Sequence, residues 1–220
     1  MNFAKHPSEQ LSKLYRQKPF QGQVPDLAKI IFISSDANYS PEITDHKFFD
    51  SILEYHQDGV AFWKKYGVHH PFLLSTFPFN KTSGGRPFHS RFSRLNLDSS
   101  YATDISFVEL LDIPTIGNKS SDRTSFYKLV TRPHLNYLDN LIMSGGQKLF
   151  FVSNGVLKDM YKMRSKYHVF NWLDRQNSIR KYSKKIGTNK IKEIYHFSSS
   201  QIYNQIAEIR ETIDTWLGNP

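Results

Sequence analysis

Four short apolar runs punctuate this chain, at residues 29–34 (K-I-I-F-I-S), 105–111 (I-S-F-V-E-L-L), 148–153 (K-L-F-F-V-S) and 192–196 (K-E-I-Y-H). The first has β-branched and aromatic residues without polar–apolar alternation, the pattern of a strand buried on both faces. Longer stretches with helical spacing lie between the runs. In residues 41–66, Phe48, Phe49, Ile52, Leu53 and Tyr55 share one face. Residues 127–143 are helical apart from a break near Pro133, and Gly145–Gly146 is a natural C-terminal stop. A further helix follows Asn154–Gly155, and an amphipathic one spans 199–217. Ser8 caps a short helix over 8–18, with a connector through Pro25. Residues 78–94, rich in Gly, Ser, Lys and Arg, read as a long irregular loop. Strands alternating with helices imply a parallel sheet covered on both faces. The expected fold is therefore α/β: a three-layer α/β/α arrangement around a central, mostly parallel four-stranded sheet. It forms a single domain over residues 1–220, with 1–27 as an N-terminal helical extension.

A chain of 220 residues is long enough for one substantial core, and its 17 Phe and 12 Tyr supply large buried areas. There are no cysteines. That excludes disulfides, Cys-held iron–sulfur clusters, the usual structural zinc and a thiol nucleophile. The first twenty residues are polar and charged throughout, unlike a signal peptide, and no apolar run approaches a membrane span. The expectation is a soluble cytoplasmic protein without a membrane partner. The formal charge is +9, and residues 158–192 hold eleven basic side chains against Asp159 and Asp174, which equals the whole surplus. Tyr161, Tyr167, Phe170, Trp172 and Tyr182 are interleaved. This pattern suits a phosphate backbone with unstacked bases, and equally a solvated face over aromatic anchors.

The ends of two runs carry the chemistry. Residues 30–39 read I-I-F-I-S-S-D-A-N-Y, and 194–202 read I-Y-H-F-S-S-S-Q-I. Each stops at small polar residues with one ionisable group, Asp36 or His196. In open α/β sheets, ligands bind at the carboxyl ends of the strands, where neighbouring loops converge. Taken singly, Asp36 also fits a cap or turn and His196 a core histidine. His69 and His70 are adjacent, a poor geometry for one ion, and no second ligand pair has suitable spacing, so no metal site is expected.

Asp36 and His196 at the ends of the first and last strands resemble the two signature loops of the uracil-DNA glycosylase superfamily, over roughly residues 28–217. The first loop of that family often reads Gly-Gln-Asp-Pro-Tyr, matched here by Ser34-Ser35-Asp36-Ala37-Asn38. The second usually reads His-Pro-Ser, matched by His196-Phe197-Ser198. The resemblance implies a monofunctional DNA glycosylase without cofactor or metal, acting on DNA as a monomer. Asp36 would stabilise the sugar cation and activate water, and His196 would donate to a carbonyl of the departing base. Phe72 would stack on the flipped base. Ser153 and Asn154, together with Ser198, Ser199 and Ser200, would hold backbone phosphates. Arg180, Lys181, Lys184 and Lys185 would add phosphate contacts.

The departures from the family bear on specificity. Members strict for uracil place a tyrosine against C5 of the base, where this chain has Asn38. They read the uracil edge with an asparagine after the second strand, where the alignment puts Leu111, with Glu109 and Asp112 nearby. The expected substrate is thus a 5-substituted pyrimidine, possible in phage DNA with hypermodified bases. The alternatives are an ordinary uracil glycosylase of repair, or a non-catalytic binding protein of the same fold.

Overall fold

A computed structural model describes residues 2–82, 84–174 and 182–218. Its strands are β1 (Ala4–Lys5), β2 (Phe20–Gly22), β3 (Ile30–Ser34), β4 (Ala37–Asn38), β5 (Ile105–Glu109), β6 (Pro114–Ile116), β7 (Leu149–Ser153), β8 (Ser183–Ile186) and β9 (Asn189–Ile194). Its α-helices are α1 (Glu9–Gln17), α2 (Phe49–Gln57), α3 (Gly59–Tyr66), α4 (Arg86–Phe92), α5 (Arg123–Leu129), α6 (Arg132–Met143), α7 (Asn154–Tyr167) and α8 (Ile206–Leu217).

The four apolar runs form the centre of the main sheet as β5-β3-β7-β9, all parallel. β3 sits in the middle, with Ile30 to Ile33 buried. Its side chains alternate between two cores. Ile31 and Ile33 join Phe126, Leu138 and Met160 from α5, α6 and α7 on one face. Ile30 and Phe32 join Trp63, Phe92 and Ile209 from α3, α4 and α8 on the other. The fold is thus mixed α/β in three layers.

Among the described residues the sheet has six strands, not four. β2 adds antiparallel to β5 at one edge, and β8 adds antiparallel to β9 at the other. β2 is three residues long and lies in the stretch expected to be a connector. β8 reads S-K-K-I, half of it lysine. An edge strand pairs on one side only and needs neither length nor apolar character, so neither was visible as a run. A second, three-stranded sheet, β1-β6-β4, holds the residues that follow Asp36.

Residues 78–94 are not wholly irregular. α4 forms there, with Pro87 in its first turn and Phe88 and Phe92 one helical turn apart. The closing helix begins as a 3-10 turn over Ser200–Gln205 before α8. β9 starts earlier than expected and stops at Ile194, leaving His196 in the loop beyond it. Among the described residues no helix is long and apolar enough to cross a membrane.

Candidate active site

The carboxyl ends of the parallel strands open into one cleft of about 1780 Å³. β3 delivers Asp36 to its wall, and the chain then turns directly into β4. Asp36 Oδ2 accepts a hydrogen bond from the Thr115 hydroxyl of β6 at 2.6 Å. Burial raises the Asp36 pKa above the usual carboxylate value, while Thr115, the Lys119 ammonium and Asn38 oppose the rise. Lys119 is itself held by Ser35 and by Asp159, the latter at 2.8 Å. Asp159 also takes Arg123 and, at 2.6 Å, the Tyr127 hydroxyl.

His196 lines the same cleft from beyond β9. β7 lies between β3 and β9, so the two strand ends are about 10 Å apart, two interstrand spacings. His196 Nδ1 accepts from the Ser198 backbone N–H at 3.1 Å. That bond fixes the proton on Nε2, making this nitrogen the donor of the neutral ring. Burial, assisted by the positive charges of Lys119 and Arg91, lowers the His196 pKa to about 4, so the ring is neutral at pH 7. Phe88 of α4 packs against it with ring centroids 5.6 Å apart.

Two side chains of the cleft were not recognised from sequence as a pair. Glu109 ends β5 and is 4% exposed. Its pKa is raised to about 8, chiefly by burial and next by the charge of Asp36, against a weak 3.5 Å bond from the Ser34 hydroxyl. Its Oε2 has no hydrogen-bond partner among the described residues. Gln21 of β2 is equally buried, and among the described residues its Oε1 is also without a partner. The Gln21 amide nitrogen is engaged, donating to the Tyr15 hydroxyl at 2.6 Å.

The other sequence-derived residues divide sharply. Asn38 lines the cleft, with its amide nitrogen donating to the Gly117 carbonyl at 2.7 Å. Phe72 reaches the wall but is also core, edge-on to Tyr39 at 5.4 Å and His70 at 4.4 Å. Ser153, Asn154, Ser198 and Ser199 line the cleft, whereas Ser200 does not. Leu111 is 1% exposed in the core and away from the cleft. β5 ends at Glu109, so the polar residue aimed at the cleft precedes Leu111 by two positions. Asp112 is also off the cleft and accepts from the Thr131 hydroxyl at 3.0 Å.

Among the described residues the basic run contributes Lys158 to the cleft lining. Arg180 and Lys181 lie outside the described residues. Lys184 is tied to Asp174 at 2.7 Å and to the Trp172 carbonyl at 2.6 Å. Lys185 sits opposite Lys190, back along the sheet from the cleft. The cations that do line the cleft include Lys81, Arg86, Arg91, Lys119 and Lys158, of which only Lys158 belongs to the run. His69 and His70 are spent in packing: His70 stacks on His89 with centroids 3.5 Å apart, and His69 Nε2 lies 3.1 Å from His89 Nδ1.

No model of a known protein family matches the chain, and no curated protein matches it.

Proposed function

We propose that the protein is a monofunctional DNA glycosylase of the uracil-DNA glycosylase type, hydrolysing the N-glycosidic bond of a flipped 5-substituted pyrimidine. The observation that carries this reading is the convergence of Asp36 and His196 on one cleft, with the imidazole neutral and its proton on Nε2. Bond cleavage leaves positive charge on the sugar and negative charge on the base. A carboxylate answers the first, and a neutral N–H donor to a base carbonyl answers the second. Lys81, Arg86, Arg91, Lys119 and Lys158 supply positive charge for the phosphates on either side. Asn38, smaller than a tyrosine and anchored on Gly117, leaves room beside C5 of a pyrimidine.

The test offers oligonucleotides carrying uracil, 5-hydroxymethylcytosine or its glucosylated form, and scores alkali-labile abasic sites. Asp36→Asn and His196→Ala are each expected to lower single-turnover excision by about 10²–10³ while DNA affinity holds. Wild-type rates in both variants would remove this mechanism. Efficient removal of uracil with every 5-substituted base ignored would leave a repair enzyme instead. Tight DNA binding without any excision would leave a non-catalytic protein.

A further inference from the structure

We propose that Gln21 and Glu109 together read the Watson–Crick edge of a cytosine-type base, and that Glu109 is the acid that protonates N3 as the glycosidic bond breaks. This rests on the glycosylase reading above and adds to it a substrate class and a catalytic group.

Strand register brings the two side chains together. Gln21 of β2 pairs directly with Phe107 of β5, and Glu109 lies two residues further along β5. Residues two apart on a strand share a face, so Gln21 and Glu109 are diagonal neighbours within reach of long side chains. Both line the cleft, and each presents one buried oxygen without a partner among the described residues. Two orphaned polar atoms on one wall are costly in an empty fold and are satisfied by a ligand of matching pattern.

The pattern is specific. A protonated carboxyl offers one O–H donor and one acceptor oxygen, and burial keeps Glu109 in that form at neutral pH. A cytosine-type ring presents an acceptor at N3 and an amino group at C4. Glu109 donates to N3 and accepts one amino hydrogen, and Gln21 Oε1 accepts the other. A carboxyl alone turns to fit a uracil-type edge equally well. Gln21 breaks that symmetry, because its nitrogen is held by Tyr15 and its free atom is an acceptor, which repels a carbonyl at C4.

The step balances without a co-reactant beyond water. The C1′–N1 bond breaks and its electron pair leaves with the ring. The Glu109 proton moves to N3, so the base departs neutral and Glu109 is left as a carboxylate. Water oxygen bonds to C1′ and gives a proton to Asp36. Solvent restores both groups after the base leaves. Protonation matters most for a cytosine-type ring, whose anion is the poorer leaving group.

The experiment measures single-turnover excision against pH. The substrates carry 5-hydroxymethylcytosine or 5-hydroxymethyluracil, each with and without a glucosyl group, so that the 5-substituent is matched within a pair. The wild-type rate on the cytosine-type base is expected to level off as pH falls below about 8, to fall tenfold per unit above it, and to fall again in acid where Asp36 protonates. The cytosine-type base is expected to be preferred within each pair. Glu109→Gln keeps the shape and a donor and acceptor but has no transferable proton. We expect it to bind DNA as wild type does, lose about a hundredfold or more in rate and lose the alkaline limb. A Glu109→Gln enzyme with unaltered rate and pH profile, or equal excision within the matched pairs, overturns the assignment while leaving a working glycosylase. No excision by wild type on any of these substrates overturns the reading of a glycosylase for 5-substituted pyrimidines and this assignment with it. If Glu109→Gln does not fold, the wild-type alkaline limb and the matched-pair ratio decide.

Discussion

Asp159 is one of only two acids in the basic run, and its side chain is 1% exposed. It takes Lys119, Arg123 and the Tyr127 hydroxyl at once, so its charge is fully engaged. Lys119 in turn is the cation felt by both Asp36 and His196. Removing one partner of a buried ion pair leaves the other uncompensated, typically at about 3–5 kcal/mol. Asp159→Ala is therefore expected to lower urea stability by about that amount, and to slow excision through the freed Lys119. Loss of less than about 1 kcal/mol in a urea melt would show that the Lys119 and Arg123 ammonium and guanidinium groups find solvent instead.

At the scale of elements, the edge strand β2 depends on the first residue of α3. A Cβ added to Gly59 would come within 2.9 Å of the Gly22 backbone nitrogen and Cα. The contact is backbone, so nothing flexible can yield. Gly59→Ala must push α3 off β2, at about 1–3 kcal/mol. Gln21 adjoins Gly22 on that strand, so the displacement carries the proposed base reader with it. Gly67, which ends α3 with φ +68°, has nothing within 4 Å of an added Cβ. Gly67→Ala is expected to cost only about 1 kcal/mol of left-handed backbone strain. Comparable melting temperatures for the two variants would show that the close approach of α3 to β2 is not tight.

Across the molecule, several histidines are buried and held neutral. Burial lowers the pKa of His56 and His196 to about 4 and that of His69 to about 3. His70 and His89 are also held well below the ordinary value, again chiefly by burial. Each folded pKa lies below the unfolded one, so the unfolded chain takes up protons as pH falls through about 6.5 while the folded chain does not. Stability from these groups is complete above that pH and is lost toward pH 3–4, at about 1.4 kcal/mol per pH unit for each group. Glu109 acts oppositely, because its raised pKa favours the fold as pH falls from about 8 toward 4.5. Asp36, whose pKa burial also raises, acts in the same direction as Glu109, and five histidines outweigh these two acids. The urea midpoint is expected to drop steeply between pH 6.5 and 4.5, and a flat midpoint over that range would contradict the burial of these rings.

The four parallel strands, the helices between them and the placement of Asp36 and His196 just past strand ends were legible in the amino-acid order. Each is a local property: a buried strand needs a contiguous apolar run, and the first polar residue after it marks where the strand leaves the core. What the residues at the strand ends meet is not local. Register between β2 and β5, 84 positions apart at Gly22↔Ser106, makes Gln21 and Glu109 diagonal neighbours, and puts in the cleft a carboxyl two residues before the Leu111 that the alignment picks. The cations of the cleft gather from separate elements, although the longest basic run contributes only Lys158 to them among the described residues. The charge state of Glu109 and His196 follows from burial. Pairing at short edge strands, convergence of distant cations and desolvation arise only when remote segments pack, because each depends on which neighbours displace water.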